Sequence, residues 1–340
     1  MGMMTRLILI FILTAVFMTA LSSCGGKDSH TDKISTTQKT DLVVFSPHPA
    51  EKTEAIIREF RQRTNLVVRE VHGGTAELLF RLKGCVEIAD VFWGGGVESL
   101  ESAKELFQPY ESSQSAYITP SSMDAEHLWT GFSLMTMVIV YNSALVKTQD
   151  APDSWNDLKS PFFSSRVFIP DPEKSGSAYS MLNAILLTAE DGNWDLLGAI
   201  KQQAASGGVA SNAPLVHTAV ASGEYFAGLT SEDSALAYLQ QNTGSPLSIV
   251  YPADGTVSVP DGVALVKGCV NENAAKEFID FVLSKGVQAT VVHDWMRRSV
   301  RNDVSLPDKA REVSDIKILS YNIYDAAKNR EIFLEHWRQL

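Results

Sequence analysis

Four short stretches of this chain combine hydroxyl, glycine and carboxylate residues in a way suited to holding an anion. They are Ser46-Pro47-His48-Pro49, Gly73-Gly74-Thr75, Ser175-Gly176-Ser177 and Thr230-Ser231-Glu232-Asp233, and a fifth turn, Gly94-Gly95-Gly96, shares their setting. Each follows an apolar, β-rich run and opens a helical pattern. Such a turn puts unpaired backbone N–H groups and the positive end of a helix dipole at one spot. Several of them converging make an anion site without any Lys or Arg. One turn of this kind is only a helix cap, so the reading rests on five in one chain. The other chemistries find little support: the seven histidines fall in no metal-ligand spacing, and no CxxC, HExxH, GxGxxG, Walker or GxSxG pattern occurs.

The elements that must position these turns follow one repeated plan. Apolar runs at 42–45, 66–71, 90–93, 166–170 and 225–229 read as strands, and helical patterns follow at 50–64, 76–83, 97–107, 178–187 and 234–241. Pro49 suits a first helical position, where its missing N–H costs nothing. Strands alternating with helices predict an α/β fold with largely parallel sheets, and ligands of such sheets bind beyond the carboxyl ends of the strands, where these turns lie. Two longer apolar strands, 131–141 and 247–266, bracket about a hundred residues. They predict a discontinuous first lobe, 41–135 plus 256–340, and an inserted second lobe, 136–255. Residues 308–340 read as helix, with Ile316, Ile318, Leu319, Ile323 and Tyr324 forming an apolar face against the first lobe.

The amino terminus says where the protein works. Arg6 precedes an apolar run, 7–20, too short to span a bilayer comfortably, and Leu21-Ser22-Ser23-Cys24 closes it. A small-residue tetrad ending in Cys resembles the bacterial lipobox, so 1–23 is expected to be a lipoprotein signal peptide and Cys24 the lipidated residue. Residues 25–40 hold one aliphatic side chain, Ile34, and read as a tether. As a flexible coil it would reach about 20–25 Å. Acyl chains would hold the protein to the membrane at about 0.8 kcal/mol per buried methylene, with no transmembrane helix needed. Losing residues 1–23 removes Arg6 alone among charged residues, taking the net charge from −11 to −12. That balance argues against nucleic acid as a partner and requires a local site for any anionic ligand. Cys85 and Cys269 read as buried small residues beside strand ends, and the sequence leaves open whether they pair.

At six places the residues resemble a known family: SPHPAE at 46–51, GGTAELL at 73–79, ADVFWGGGVESLE at 89–101, PDPEKSGSAY at 170–179, VASGEY at 220–225 and MRRSVRNDV at 296–304. The chain from about residue 41 onward is similar to the periplasmic solute-binding proteins of ABC importers, of the ferric-ion and sugar-phosphate type. The resemblance implies an α/β, two-lobe type II periplasmic-binding-protein fold with a hinge and an interlobe cleft. It also implies delivery of a small-molecule or ion solute to an ABC transporter permease. Ferric-binding members carry adjacent tyrosines just after the strand that here ends Gly228-Leu229-Thr230; this chain has Ser231-Glu232-Asp233-Ser234 instead. Tyr179, Tyr225, Tyr238 and Tyr251 are scattered and read as core or rim.

An oxyanionic solute, a phosphorylated sugar or a similar organophosphate or phosphonate, therefore fits better than iron. Ser46, Thr75, Ser175 and Ser177 are expected to donate to it, with the backbone of Gly74 and Gly176, and His48 to add a charge-assisted bond when protonated. Glu232 and Asp233 are expected to accept from sugar hydroxyls, although carboxylates also favour a helix start for electrostatic reasons alone. Arg297, Arg298 and Arg301 form a basic cluster of the kind that pairs with local acids, one of which could reach the cleft. The expected protein is a monomeric binding protein without catalysis and without a cofactor, held to the membrane by its lipid. Ferric iron enters only as an alternative transported solute. A surface-anchored hydrolase lacks a nucleophile beside a base, and an adhesive lipoprotein leaves the five turns unexplained.

Overall fold

The computed structural model describes residues 42–190, 192–204, 207–210 and 215–340. The expected signal peptide, Cys24 and tether lie outside the described residues. The chain begins with β1 (Leu42–Ser46), buried along its whole length, followed by α1 (Ala50–Thr64), β2 (Val68–His72) and α2 (Thr75–Lys83). Next come β3 (Val91–Gly96), α3 (Val97–Ser102) and the long β4 (Thr130–Asn142). The central block holds β5 (Val167–Pro170), α4 (Gly176–Leu186), α5 (Trp194–Ala204), β6 (Val209–Ala210), α6 (Leu215–Ala221), β7 (Ala227–Ser231), α7 (Glu232–Gln241) and β8 (Leu247–Val250). The chain returns through β9 (Ser258–Leu265), α8 (Glu272–Val282), α9 (Lys285–Asp294), β10 (Arg298–Ser299) and α10 (Ile323–Gln339). No helix among the described residues is long and apolar enough to cross a membrane.

β4 joins the two halves of the molecule. Its first half, Thr130 to Thr136, pairs antiparallel with β9, and β10 pairs at Ser133 and Leu134. From Met137 onward its partners are β7 and β8. The first sheet runs β2-β1-β3-β9-β4 and the second runs β4-β7-β5-β6. The flanks β2-β1-β3 and β7-β5-β6 are parallel, as strand–helix alternation predicts, whereas β9 and β4 are antiparallel to their neighbours. The mixed sheet follows from the route of the chain, because β4 and β9 carry it out of one lobe and back.

The apolar spacing of α1 turns Ile56, Ile57 and Phe60 inward, onto a core with Trp93, Phe132, Phe278 and Trp295. Asn65, at φ +56°, stops the helix in the left-handed region and bonds the Arg61 carbonyl. In the second lobe Val140, Phe168, Val216, Val220 and Leu247 pack around β5 and β7.

Three sequence expectations are corrected. The apolar stretch 247–266 is two strands, because Pro252 and Gly255 (φ +113°) turn the chain between β8 and β9. The expected carboxy-terminal helix starts only at Ile323, where the Asn322 side chain accepts from the N–H groups of Tyr324 and Asp325. Its buried face is Ala326, Phe333, Leu334 and Trp337, while Ile318 and Tyr324 are exposed. α10 lies against α3 through a Ser102 hydroxyl–Ala327 carbonyl bond and against α4 and α5 through Tyr179, Trp194 and Lys201, so it touches both lobes. Finally, Cys85 is exposed, Cys269 is half-buried, and both are free thiols.

Candidate functional site

The carboxyl ends of β1, β2, β5 and β7 open on one cavity of about 610 Å³, with β3 supplying Gly95 and Gly96. A neighbouring cavity of about 330 Å³ shares Gly74, Thr75, Lys174 and Gly176 with it and runs toward Arg330 of α10. Of the residues singled out from the sequence, His48, Gly74, Thr75, Ser175, Gly176, Ser177 and Asp233 line the larger cavity.

One side of the cavity is built from helix starts. α2 begins after Gly74 with no side-chain cap. In α4 the Ser175 hydroxyl accepts from Ala178 N–H and lies 2.9 Å from the Ser177 hydroxyl. The N–H groups of Gly176 and Ser177 open that helix, and Lys174 stands beside them on the cavity wall. Glycine is required on the floor. Gly94 and Gly95 have φ of +117° and +78°, and a Cβ there would come within 2.7 Å of His48 Nε2 or 2.8 Å of the Thr75 side chain.

The other side is an ionic network that crosses the cleft. Arg297 Nε donates to Asp233 Oδ2 of α7 at 2.9 Å, and its Nη1 donates to Asp261 Oδ2 of β9 at 2.5 Å. Asp261 Oδ1 also accepts from the Ser133 N–H and hydroxyl, at 2.9 and 2.6 Å. Burial works against the Arg297 charge, but the two carboxylates outweigh it and raise its pKa. Burial pushes both carboxyls up; Arg297 and Lys52 overcome this at Asp233, which ends below 3.8, whereas at Asp261 burial prevails. Asp233 Oδ1 is buried without a hydrogen-bond partner. Lys52, in the first turn of α1, is lowered by burial and then by Arg297. The cavity wall thus carries three cationic side chains (Lys52, Lys174, Arg297) against two carboxylates (Asp233, Asp261), one positive charge in excess.

Three expectations about individual residues are corrected. Ser46 is fully buried behind the wall, where its hydroxyl donates to the Trp93 carbonyl at 2.7 Å and accepts from His48 N–H. Glu232 turns away from the cavity: Arg298 grips it through Nε and Nη2 at 2.6 and 2.8 Å, and the Tyr251 hydroxyl donates to it. His48 is wedged among Trp93, Phe132 and Trp295, and burial, then Arg297 and Lys52, hold its pKa well below 6.5. It is therefore neutral, 3.4 Å from Asp261 Oδ2, and brings no charge to an anion.

This neutrality has a measurable consequence. In the unfolded chain the imidazole takes up a proton near 6.5, and in the fold it does not, so protons favour unfolding. The stability due to neutral His48 is present above 6.5 and is lost as the pH falls below it. His48→Gln is expected to melt with a shallower pH dependence than the parent between about pH 7 and about pH 5. Equal slopes would mean that the ring is charged in the folded protein.

Sequence reasoning did not single out Lys52, Lys174 or Asp261. Lys174 was legible, as it immediately precedes the Ser175-Gly176-Ser177 turn. Lys52 stands half-buried one turn before Ile56 on α1, where a single lysine in a first turn carries no signal of its own, and Asp261 lies inside an apolar strand.

Two lobes, hinged on shared strands and enclosing a polar cleft at strand ends, define the periplasmic-binding-protein fold. The periplasmic binding protein AfuA from Actinobacillus pleuropneumoniae, solved with fructose-6-phosphate, superposes with a TM-score of 0.78 at 21% identity, over 88% of this chain and 97% of that one. Residues 87–326 match the bacterial extracellular solute-binding protein family, and the chain belongs to it. It is thus an extracytoplasmic solute-binding protein of an ABC importer, in a family of binding proteins and not of enzymes. It is 27% identical over 317 residues to "Iron uptake protein A1" of Synechocystis sp., covering 87% of this chain and 86% of that protein. It is 26% identical over 259 residues to a putative 2-aminoethylphosphonate-binding periplasmic protein of Salmonella typhimurium, covering 74% of each.

Proposed function

We propose that this protein is the lipid-anchored, monomeric receptor of an ABC importer for a small oxyanion, a phosphorylated sugar or a similar organophosphate or phosphonate. The solute is captured between the lobes and no chemistry is performed on it. The observation that carries the reading is that the first turns of α2 and α4, with Lys174, open on one cavity. Their N–H groups and dipoles suit the anionic end of a solute. Across the cavity the Asp233 carboxylate suits a hydroxyl or ammonium group on its other end. The Actinobacillus protein solved with a sugar phosphate and the Salmonella relative named for an aminophosphonate support the same class of ligand. Cys24 is the proposed site of the anchor.

Ferric iron is the second reading, favoured by the Synechocystis relative named for iron uptake. Against it, no tyrosine lines the cavity among the described residues, and no group of three His, Cys, Asp or Glu there could hold a metal ion. Tyr179, Tyr225 and Tyr251 are engaged by the Ala326 carbonyl, the Gly207 carbonyl and Glu232, and Tyr238 packs on His217.

The test follows melting of the ligand-stripped protein with sugar phosphates, phosphonates, inorganic phosphate and ferric citrate. A ligand at about a hundred times its dissociation constant adds about 2.7 kcal/mol, a shift of several degrees. A shift with a phosphorylated or phosphonate compound and none with iron is expected; the opposite pattern would establish the iron reading. With the stabilising compound, Ser177→Ala is expected to bind roughly tenfold to a hundredfold more weakly, the loss of a charge-assisted bond worth about 1.5–3 kcal/mol.

A further inference from the structure

The residues that suit the oxyanion stand where two cavities meet. Gly74 and Thr75 at the start of α2, with Lys174 and Gly176 at the start of α4, line both the cleft cavity of about 610 Å³ and its neighbour of about 330 Å³. From that junction the cleft cavity extends to Asp233 and Arg297, and the smaller one to Ser102, Ala327 and Arg330. Each reaches on its own the size of a small-molecule pocket, about 300 Å³ or more. Ser99 Oγ stands at the junction, 3.9 Å from the place that a Cβ on Gly176 would take. The lining of the smaller cavity is mixed: Ala76, Leu79, Ala103 and Ala327 offer carbon, while Ser99 and Arg330 offer donors. The Arg330 side chain is 25% exposed and its guanidinium lies over the Tyr179 ring at 5.6 Å. Its hydrogen bonds are long, 3.5 Å from Nη1 to the exposed Glu331 and 3.4 Å from Nη2 to the Pro172 carbonyl, so it is weakly held. Glu173, by contrast, is met by Arg338 at 2.6 Å.

Resting on the oxyanion reading of the cleft, we propose that the solute is a phosphodiester joining two polyols. A phosphomonoester ends at its anion and fills one cavity, whereas a diester carries a substituent on each side of it. The phosphodiester group sits on the first-turn N–H groups of α2 and α4, beside Lys174. One polyol reaches Asp233; the other lays its C–H faces on Ala76, Leu79 and Ala327, with a hydroxyl accepting from Arg330. A diester has one negative charge, which the single positive excess of the cleft wall balances. The smaller cavity adds no net charge, since Arg330 and Arg338 answer Glu331 and Glu173. Its mixed walls suit hydroxyl groups on a carbon frame better than an alkyl chain, which would take water from Arg330 and give nothing in return.

Calorimetric titration of the full, ligand-stripped chain compares glycerophosphoinositol with its two monoesters, glycerol 3-phosphate and inositol 1-phosphate. The diester is expected to bind roughly tenfold more tightly than either monoester, or better, through the added charge-assisted bond at Arg330. Ala327→Met narrows the smaller cavity from α10 and leaves the junction and the cleft intact. It is expected to weaken the diester about tenfold or more and to leave the monoesters unchanged. Ala103→Leu narrows the same cavity from the end of α3 and gives the same readout should Ala327→Met fail to fold. Monoesters that bind as tightly as the diester would overturn the proposal and leave the oxyanion reading standing. So would variants that spare the diester or weaken all three compounds alike. Binding of none of the three overturns the proposal too, and the oxyanion reading falls with it only if no phosphorylated or phosphonate compound shifts the melting.

Discussion

Arg297→Met is expected to lower the stability of the empty protein by about 3–5 kcal/mol, the cost of leaving buried carboxylates without their counter-charge. Asp233 and Asp261 are 2% and 1% exposed, and both take their ion pair from this one guanidinium. Methionine keeps most of the volume and none of the donors. Because Asp233 belongs to α7 and Asp261 to β9, the same change also cuts a tie between the lobes. Adding Asp233→Asn to the Arg297→Met protein should restore part of the loss, since it removes one stranded charge. Denaturant unfolding of the single and double variants checks both points. A single variant that unfolds like the parent would show that water reaches these carboxylates in solution.

Glu232→Ala is expected to reduce stability by a similar amount, about 3–5 kcal/mol, for the converse reason: it strands the buried Arg298. Arg298 and Glu232 are each 2–3% exposed at the side chain and form a two-pronged pair. In contrast to Asp233→Ala, the folded fraction of Glu232→Ala should bind the cleft solute with unchanged affinity, because Glu232 faces away from the cavity. The comparison is made at a temperature where both variants remain folded. Weakened binding in Glu232→Ala alone would put this carboxylate back in the cleft.

The pair Glu232-Asp233 also shows what the sequence could and could not convey. That the start of this helix would face the cleft was legible from the strand–turn–helix plan, and Asp233 lines the cavity. Which of the two would do so depends on the helix phase, and the partners that fix it, Arg297 and Arg298, lie 64 and 66 residues further along the chain. Those two adjacent arginines point apart, Arg297 to Asp233 and Asp261 and Arg298 to Glu232, and only Arg298 lies in a strand, one of two residues. Gly74, Thr75 and Ser175 to Ser177 were readable as cavity-lining residues because their placement is local, set by turn chemistry at a helix start. Ser46 looked equivalent, but β1 is buried throughout, and its hydroxyl is spent on the Trp93 carbonyl of the neighbouring strand. His48 lines the cavity, but its protonation was not legible, since three aromatic neighbours from distant parts of the chain set its environment. The two-lobe plan was legible from the long apolar strands, and the break between β8 and β9 was written in Pro252 and Gly255.

The helix starts at Gly74-Thr75 and Ser175-Gly176-Ser177 are expected to hold the oxyanion of the solute. The most direct measurement is a crystal structure with the compound that gives the largest melting shift. Phosphoryl or phosphonyl oxygens are expected within hydrogen-bond distance of the first-turn N–H groups of α2 and α4, with the other end of the solute on Asp233. An iron ion held by protein oxygens, or an oxyanion bound away from both helix starts, would contradict it.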